Sequence, residues 1–331
     1  MPPQSKNINE LGLGFDFMAL TITSSKKRAH KVADPTNAVP AAIDIRQYLD
    51  ERKALIDDAL DRHLKAGAPQ MPAALHEAMC YSVLDAGKRL RPILTLAVGE
   101  LFGAKRVPLL TFACSIELIH CYSLIHDDLP ALDNDDFRRG KPSCHKRFGE
   151  AIALLAGDAL LTEAFFIASD PAAARNFGGP LIARVVREIS DAAGVRGMVS
   201  GQSKEFELEQ CEVTPAVLED LDRLKTGALI TTAARIGAIA GRATPEDLDR
   251  ITRYARALGL AFQITDDLLD EHELAQENHK SVANYLAVVG KAKAVERVQA
   301  LLAECLKQIE GYGDAAEPLR EIARYVTGRT E

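Results

Sequence analysis

From about Ala41 onward the chain repeats one pattern, in which apolar residues return every third or fourth position with charges between them. "IDIRQYLDERKALIDDALDRHL" places Ile45, Leu49, Ile56, Leu60 and Leu64 at helical spacing, which predicts an amphipathic helix with one buried stripe. "LLTFACSIELIHCYSLIHDDL" is apolar nearly all round and predicts a buried helix. "VLEDLDRLKTGALITTAARIGAIAG", "PEDLDRITRYARALGLAFQITDDLLDE" and "KAKAVERVQALLAECLKQIEGYG" are helical by the same reading, the last ending on glycines. Thr214-Pro215 and Thr244-Pro245 each put a cap residue before a proline suited to the first helical position. Repeated β-branched alternation bounded by hairpin turns is not found. The pattern predicts a single all-α domain of many helices over residues 41–331. Residues 1–40, with "MPPQSKN", "SSKK" and "ADPTNAVP", lack sustained periodicity and predict a disordered or loosely packed N-terminal extension. The basic run "KKRAHK" fits such a tail, and Glu10, Asp16 and Asp34 break the acid-poor pattern of a transit peptide.

Composition narrows the class. Hydrophobic residues make up 47% of the 331, enough for a sizeable core, and charged residues 26%. A net charge of -7 gives no support to a nucleic-acid partner. No continuous apolar run approaches the length of about 20 residues that a membrane span needs, so no span is expected. Six cysteines (Cys80, Cys114, Cys121, Cys144, Cys211 and Cys305) form no CxxC pair. They read as reduced structural thiols in a cytoplasmic protein.

Two acidic clusters change the picture. Asp127, Asp128, Asp133, Asp135 and Asp136 follow the long apolar helix, and Pro130 disturbs that helix just past the first pair. Gln263, Asp266, Asp267 and Asp270 end a second apolar helix, with Asp266 and Asp270 one turn apart. Either cluster alone reads as a solvated surface. Two at the ends of buried helices must reach solvent or hold cations, because burying unpaired charge is costly. Oxygen-only donors favour Mg²⁺, which binds through a few carboxylates, waters and substrate phosphates. Phosphate is indicated separately by "AGKRLRP" (Lys88, Arg89, Arg91), by Arg138-Arg139, and by Lys225-Thr226 in "LKTGALI". No GxxxxGK[ST] loop is found, which argues against a P-loop nucleotide triphosphatase.

Taken in order, "GKRLRP", "IHCYSLIHDDLPALDNDDFRRGKP", "FGEAIALLAGDALL", "KTGALI" and "FQITDDLLD" resemble the motifs of the trans-prenyl diphosphate synthases, over about residues 70–280. That group includes farnesyl and geranylgeranyl diphosphate synthases. The resemblance implies an all-α fold around a deep central cavity, a homodimer, and two or three Mg²⁺ ions. It implies head-to-tail condensation of isopentenyl diphosphate onto an allylic diphosphate. Carried over by position, Asp127, Asp133 and Asp266 would ligate the metal, with Asp270 acting through metal-bound water. Arg138, Lys225 and Gln263 would steady the allylic diphosphate. Lys88, Arg91, His120 and Arg139 would bind isopentenyl diphosphate. Thr226 and Gln263 would stabilise the allylic cation.

Product length in the group is set by bulk below the first aspartate motif, here Tyr122 and Ser123. The aromatic Tyr122 resembles enzymes that stop at farnesyl diphosphate, whereas "DNDDFRRGKP" looks like geranylgeranyl synthases; the fifteen-carbon product is the expectation, with twenty carbons as its alternative. One departure stands out. Only "EHELAQEN" separates "DDLLD" from "HKSVANY", where the group has a longer loop. Lys280 is the lysine left in that segment, the position before it is His279, and the third metal position is in doubt. A terpene cyclase or a head-to-head synthase would not need "GKRLRP" and Arg139. A non-catalytic partner subunit of a heteromeric synthase would usually have lost an aspartate motif, and here both are intact.

Overall fold

A computed structural model describes residues 43–84, 87–208, 212–269 and 284–329. The N-terminal extension, Cys211, Asp270 and Lys280 lie outside the described residues. Fifteen α-helices carry the fold among those described: α1 (Ile45–Gly67), α2 (Ala73–Val83), α3 (Leu90–Leu101), α4 (Arg106–Asp127), α5 (Cys144–Phe148), α6 (Glu150–Ala168), α7 (Pro171–Phe177), α8 (Gly179–Ala193), α9 (Met198–Glu207), α10 (Pro215–Lys225), α11 (Gly227–Ala240), α12 (Pro245–Leu269), α13 (Tyr285–Val289), α14 (Lys291–Ile309) and α15 (Glu317–Thr327).

The predicted caps are present. Thr214 accepts from the Val217 amide at 3.4 Å. The Thr244 hydroxyl accepts from the Asp247 amide and donates to the Asp247 carboxylate. Asp44 caps α1 through the Arg46 and Gln47 amides.

The core is built on α4, whose Leu109, Phe112, Ile116 and Ile119 are fully buried. It packs on α6 and α3; α11 packs on α3 and α12, and α12 on α14. Gly237 lets α11 cross α3 backbone to backbone, since a Cβ there would stand 2.5 Å from the Thr95 carbonyl oxygen. The Thr95 hydroxyl donates to the Ala233 carbonyl across the same crossing, at 3.0 Å. A charge is buried too. Glu117, midway along α4, accepts from Arg89 at 2.6 Å, and Arg89 also donates to Asp57 and to the Val83 carbonyl. Arg89 holds a left-handed conformation (φ 53°) just before α3 and is thereby locked into the bundle between Lys88 and Arg91.

Two features lie outside what the pattern announced. A short hairpin occurs inside the all-α domain: β1 (Phe137–Arg138) pairs antiparallel with β2 (Lys141–Pro142). Its two turn residues, Arg139 (φ 53°) and Gly140 (φ 75°), both have positive φ, as a type I′ turn requires. Two helices, α4 and α6, are long and apolar enough to cross a membrane by length and composition, against the expectation of none. In α4 that stretch is 83% buried inside the bundle, which accounts for its hydrophobicity without a lipid phase. In α6 only 39% is buried, and Leu154, Leu155 and Phe166 face outward.

Candidate active site

Two cavities meet at the C-terminal half of α4. The smaller, about 220 Å³, is lined by Asp127, Asp133, Arg138, Lys225 and Thr226 at its polar end and by Ser123, Leu124, Met198 and Leu229 at its apolar end. The larger, about 1110 Å³, is lined by Lys88, Arg91, His120, Arg139, Phe262, Asp266 and Arg329, with α1 and the end of α15 closing it. Arg91 and His120 line both and form the wall between them.

The helices dictate this arrangement. Asp127 ends α4, Ser123 is one turn before it and His120 two turns before it, so the three share a face. The hairpin turn separates the adjacent arginines: Arg138 reaches the smaller cavity and Arg139 the larger. The I′ turn is what sends these adjacent side chains to different cavities.

The smaller cavity is electrostatically poised. Burial pushes the Asp127 carboxyl up to about 6; Lys225 opposes the shift and Asp133 adds to it. Burial raises Asp133 in the same way. Two carboxylates raised by partial desolvation, Asp127 half-buried and Asp133 exposed, fit a divalent cation, whose charge would bring both back to the ionised form. Among the described residues no group of three His, Cys, Asp or Glu side chains is gathered at ligating distance. Such a site would complete its shell with waters and substrate phosphates, as Mg²⁺ commonly does.

Several partners were missed in the sequence. Arg138 donates to Asp128 (2.9 Å through Nε) and to Asp135 (2.8 Å), so Asp135 is an ion-pair partner rather than a solvated acid. Asp136 is paired as well, with Lys146 at 2.7 Å. Lys225 pairs with Glu205, which also accepts from Gln202 at 3.2 Å. The available signal was Gly201 in "GMVSGQ": a Cβ there would lie 2.4 Å from the Lys225 amide nitrogen, so only glycine lets α9 approach Lys225. Arg329 was missed too; it donates to Asp266 at 2.8 Å and stacks 4.4 Å over the Phe262 ring.

The remaining expected residues divide. The Thr226 hydroxyl donates to Gln263 Oε1 at 3.0 Å, and Gln263 Nε2 donates to Asp267 at 3.2 Å. Thr226 lines the smaller cavity, while Gln263 stands behind it and lines neither. Asp266 lines the larger cavity rather than joining Asp127 and Asp133 around the smaller. Asp267 accepts from the Tyr285 amide at 2.8 Å, which ties α13 to the second aspartate motif. Ser123 lines the smaller cavity; Tyr122 does not. The Tyr122 ring is 93% buried beside it, and its hydroxyl donates to the Ala193 carbonyl at the end of α8.

The larger cavity suits an anion. Arg91 is half-buried, and its Nε is buried with no hydrogen-bond partner among the described residues. His120 is held well below its ordinary pKa, first by burial and then by Arg91 and Arg139, and is neutral at physiological pH. Arg91 Nη1 lies 3.4 Å from His120 Nε2, so the ring accepts there and carries its proton on Nδ1.

The comparisons agree with this geometry. The family model described as polyprenyl synthetase matches residues 72–314. The chain is 37% identical over 302 residues to a heterodimeric geranylgeranyl pyrophosphate synthase large subunit of Arabidopsis thaliana, covering 88% of this chain and 81% of that protein. It is 38% identical over 292 residues to a geranylgeranyl diphosphate synthase of Cyanophora paradoxa, covering 85% of this chain and 95% of that one. Among solved structures, an FPP/GFPP synthase of Zymomonas mobilis matches with TM-score 0.75 and 38% identity, over 87% of this chain and all of that one. A geranyltransferase of Legionella pneumophila matches with TM-score 0.78 and 31% identity, over 86% of this chain and 98% of that one. With acid-lined and base-lined cavities sharing the Arg91–His120 wall, and with relatives covered along most of their length, the chain belongs to the polyprenyl synthetase family, among the trans-prenyl diphosphate synthases.

Proposed function

We propose that the protein is a Mg²⁺-dependent geranylgeranyl diphosphate synthase, adding isopentenyl diphosphate to allylic diphosphates until the chain has twenty carbons. The observation that carries the reading is a pair of cavities sharing Arg91 and His120, one with Asp127 and Asp133 beside Arg138 and Lys225, the other with Lys88, Arg139 and Arg329. The fifteen-carbon expectation, which rested on Tyr122, gives way to its alternative for two reasons. Several relatives are named as geranylgeranyl synthases. The small Ser123, rather than Tyr122, lines the smaller cavity.

In this reading the allylic diphosphate lies at the polar end of the smaller cavity, beside Lys225 and Arg138, with its hydrocarbon toward Leu124, Met198 and Leu229. Asp127 and Asp133, with Asp266 across the wall, would hold Mg²⁺, which supplies positive charge to the leaving diphosphate. Isopentenyl diphosphate lies in the larger cavity, its diphosphate on Lys88, Arg91 and Arg139. The carbon–oxygen bond breaks and its electrons leave with the diphosphate. The Thr226 hydroxyl, with its hydrogen engaged by Gln263, keeps a lone pair for the allylic cation. The alkene attacks that cation, and the surplus proton leaves to the departed diphosphate. His120 is a poor base for that step, because burial keeps it neutral and Arg91 occupies its acceptor nitrogen.

The protein acts in this reading as a homodimer joined through the outer face of α6. Incubation with isopentenyl diphosphate, Mg²⁺ and dimethylallyl, geranyl or farnesyl diphosphate in turn tests the chemistry. Each primer is expected to give geranylgeranyl diphosphate, and chelation is expected to abolish it. A product from none would favour a partner-subunit role, which the name of the Arabidopsis large subunit keeps in view.

A further inference from the structure

Lys88, Arg89 and Arg91 put three cations within four residues, yet the fold uses them differently. Lys88 and Arg91 lend their charge to the larger cavity. Arg89, between them, is 2% exposed and holds the left-handed conformation (φ 53°) just ahead of α3. That conformation is strained for a residue with a Cβ and persists only where the surroundings fix it. Here they do, because three guanidinium nitrogens donate to three helices. Nε donates to Asp57 of α1 at 2.7 Å, Nη1 to Glu117 of α4 at 2.6 Å, and Nη2 to the Val83 carbonyl that ends α2.

The partner that bears on function is Glu117. It is 1% exposed, borders the larger cavity, and lies three residues before His120 on the same face of α4. A carboxylate beside a diphosphate site works against that site, since it repels the anion and competes for the cations. Arg91 is the cation most affected. Burial disfavours its charge, and Glu117 is the foremost group opposing that effect, so the field of this carboxylate reaches Arg91. Arg91 is nonetheless turned elsewhere, with Nη1 3.4 Å from His120 Nε2 and Nε unpartnered among the described residues. Arg89 holds Glu117 back by engaging it at short range. Without Arg89 a buried carboxylate would be left to seek the next cation along the wall, and that cation is Arg91.

We propose that Arg89 is a positioning residue for the isopentenyl diphosphate site: by engaging the buried Glu117 carboxylate, it keeps that charge off Arg91 and leaves Arg91 to the diphosphate. The proposal rests on the prenyl synthase reading, in which the larger cavity holds isopentenyl diphosphate.

The test is a double-variant cycle of Arg89→Met, Glu117→Gln and the two combined. Isopentenyl diphosphate does not condense without an allylic primer, so its Kd is read directly by calorimetric titration. Steady-state KM values for it and for geranyl diphosphate, with thermal melting to establish folding, complete the set. Arg89→Met is expected to raise the Kd and KM for isopentenyl diphosphate by roughly ten- to a hundredfold, as loss of a charge-assisted contact implies, with a far smaller change in the KM for geranyl diphosphate. Glu117→Gln is expected to stay near the parental Kd. The combined variant is expected to recover most of the affinity lost in Arg89→Met, because the offending charge has gone. Should Arg89→Met fail to fold, Arg89→Gln can still donate to Glu117 without neutralising it. It must weaken isopentenyl diphosphate binding and regain it when combined with Glu117→Gln. A folded Arg89→Met protein with parental Kd overturns the proposal. So does a combined variant as weak as Arg89→Met, or an equal rise in both KM values, which would mark a general structural role. Each of these leaves the enzyme reading intact. A parent protein that neither binds isopentenyl diphosphate nor forms product strikes that reading, and the proposal with it.

Discussion

Single residues carry the sharpest expectations. Arg329 was not legible as a site residue, because it stands alone near the C-terminus, past the 72–314 stretch matched by the family model. Only the fold brings it over Phe262, in the cavity that holds Lys88, Arg91 and Arg139. Arg329→Ala is expected to raise the KM for isopentenyl diphosphate by about ten- to a hundredfold, as the loss of a charge-assisted hydrogen bond of roughly 1.5–3 kcal/mol implies. The KM for the allylic substrate should change far less, and steady-state kinetics with each substrate varied separate the two. Asp222 is a second case. Burial, then Asp267 and Glu219, push its carboxyl from the ordinary carboxylate range up to about 7, with Lys225 opposing. The folded state therefore favours the protonated form. The stability Asp222 contributes is complete below about pH 4 and is lost as pH rises through about 7. Asp222→Asn should melt higher than the parent at pH 8 and alike at pH 4; calorimetry at the two pH values checks this. Most site residues were legible because they lie in contiguous motifs. Glu205, Arg329 and the Arg138 partners were not, because pairing across separate elements leaves no local spacing to read.

At the scale of elements, the helical periodicity predicted the long helices and their caps because each rests on many residues or on a cap chemistry visible in two letters. The β1–β2 hairpin was missed for the opposite reason: two residues per strand are too few for alternation to register. Yet that hairpin decides which arginine meets which cavity. The α6 helix, quoted only as part of a motif, combines a notch at Gly157, filled by the His126 ring, with an apolar outer face. Helix crossing is similarly hidden in sequence until a glycine is placed against its neighbour. Gly237→Ala forces a Cβ against the Thr95 carbonyl of α3, backbone that cannot step aside. A loss of about 1–3 kcal/mol is expected from such overpacking, measured by denaturant unfolding. A neutral result would mean that α3 and α11 separate more easily than their contact implies. Glycine at 103, with open space around it and φ of 77°, marks a turn and makes no comparable claim on packing.

For the molecule as a whole, the all-α class followed from pattern alone, while the two-substrate logic came from the resemblance, and the fold supplies two cavities that share Arg91 and His120. Product length was read from Tyr122 as bulk, and its burial against Ala193 could not be seen in the sequence. Association is the other whole-molecule question. Phe166 is 55% exposed, Leu155 52% and Leu154 47%, on a helix apolar enough to prefer cover. If that face joins two copies, Leu155→Asp with Phe166→Asp should convert a dimer to a monomer in light scattering while the helical circular dichroism is retained. A double variant that remains dimeric would place the interface elsewhere. The central claim is that two diphosphates are bound side by side and joined head to tail up to twenty carbons. Its most direct test is the reaction of labelled isopentenyl diphosphate with farnesyl diphosphate and Mg²⁺, followed by chain-length chromatography. Labelled geranylgeranyl diphosphate is the predicted product. Failure to extend farnesyl diphosphate, with geranyl diphosphate extended only to fifteen carbons, would contradict the twenty-carbon account, and no incorporation from any allylic primer would contradict the enzyme account altogether.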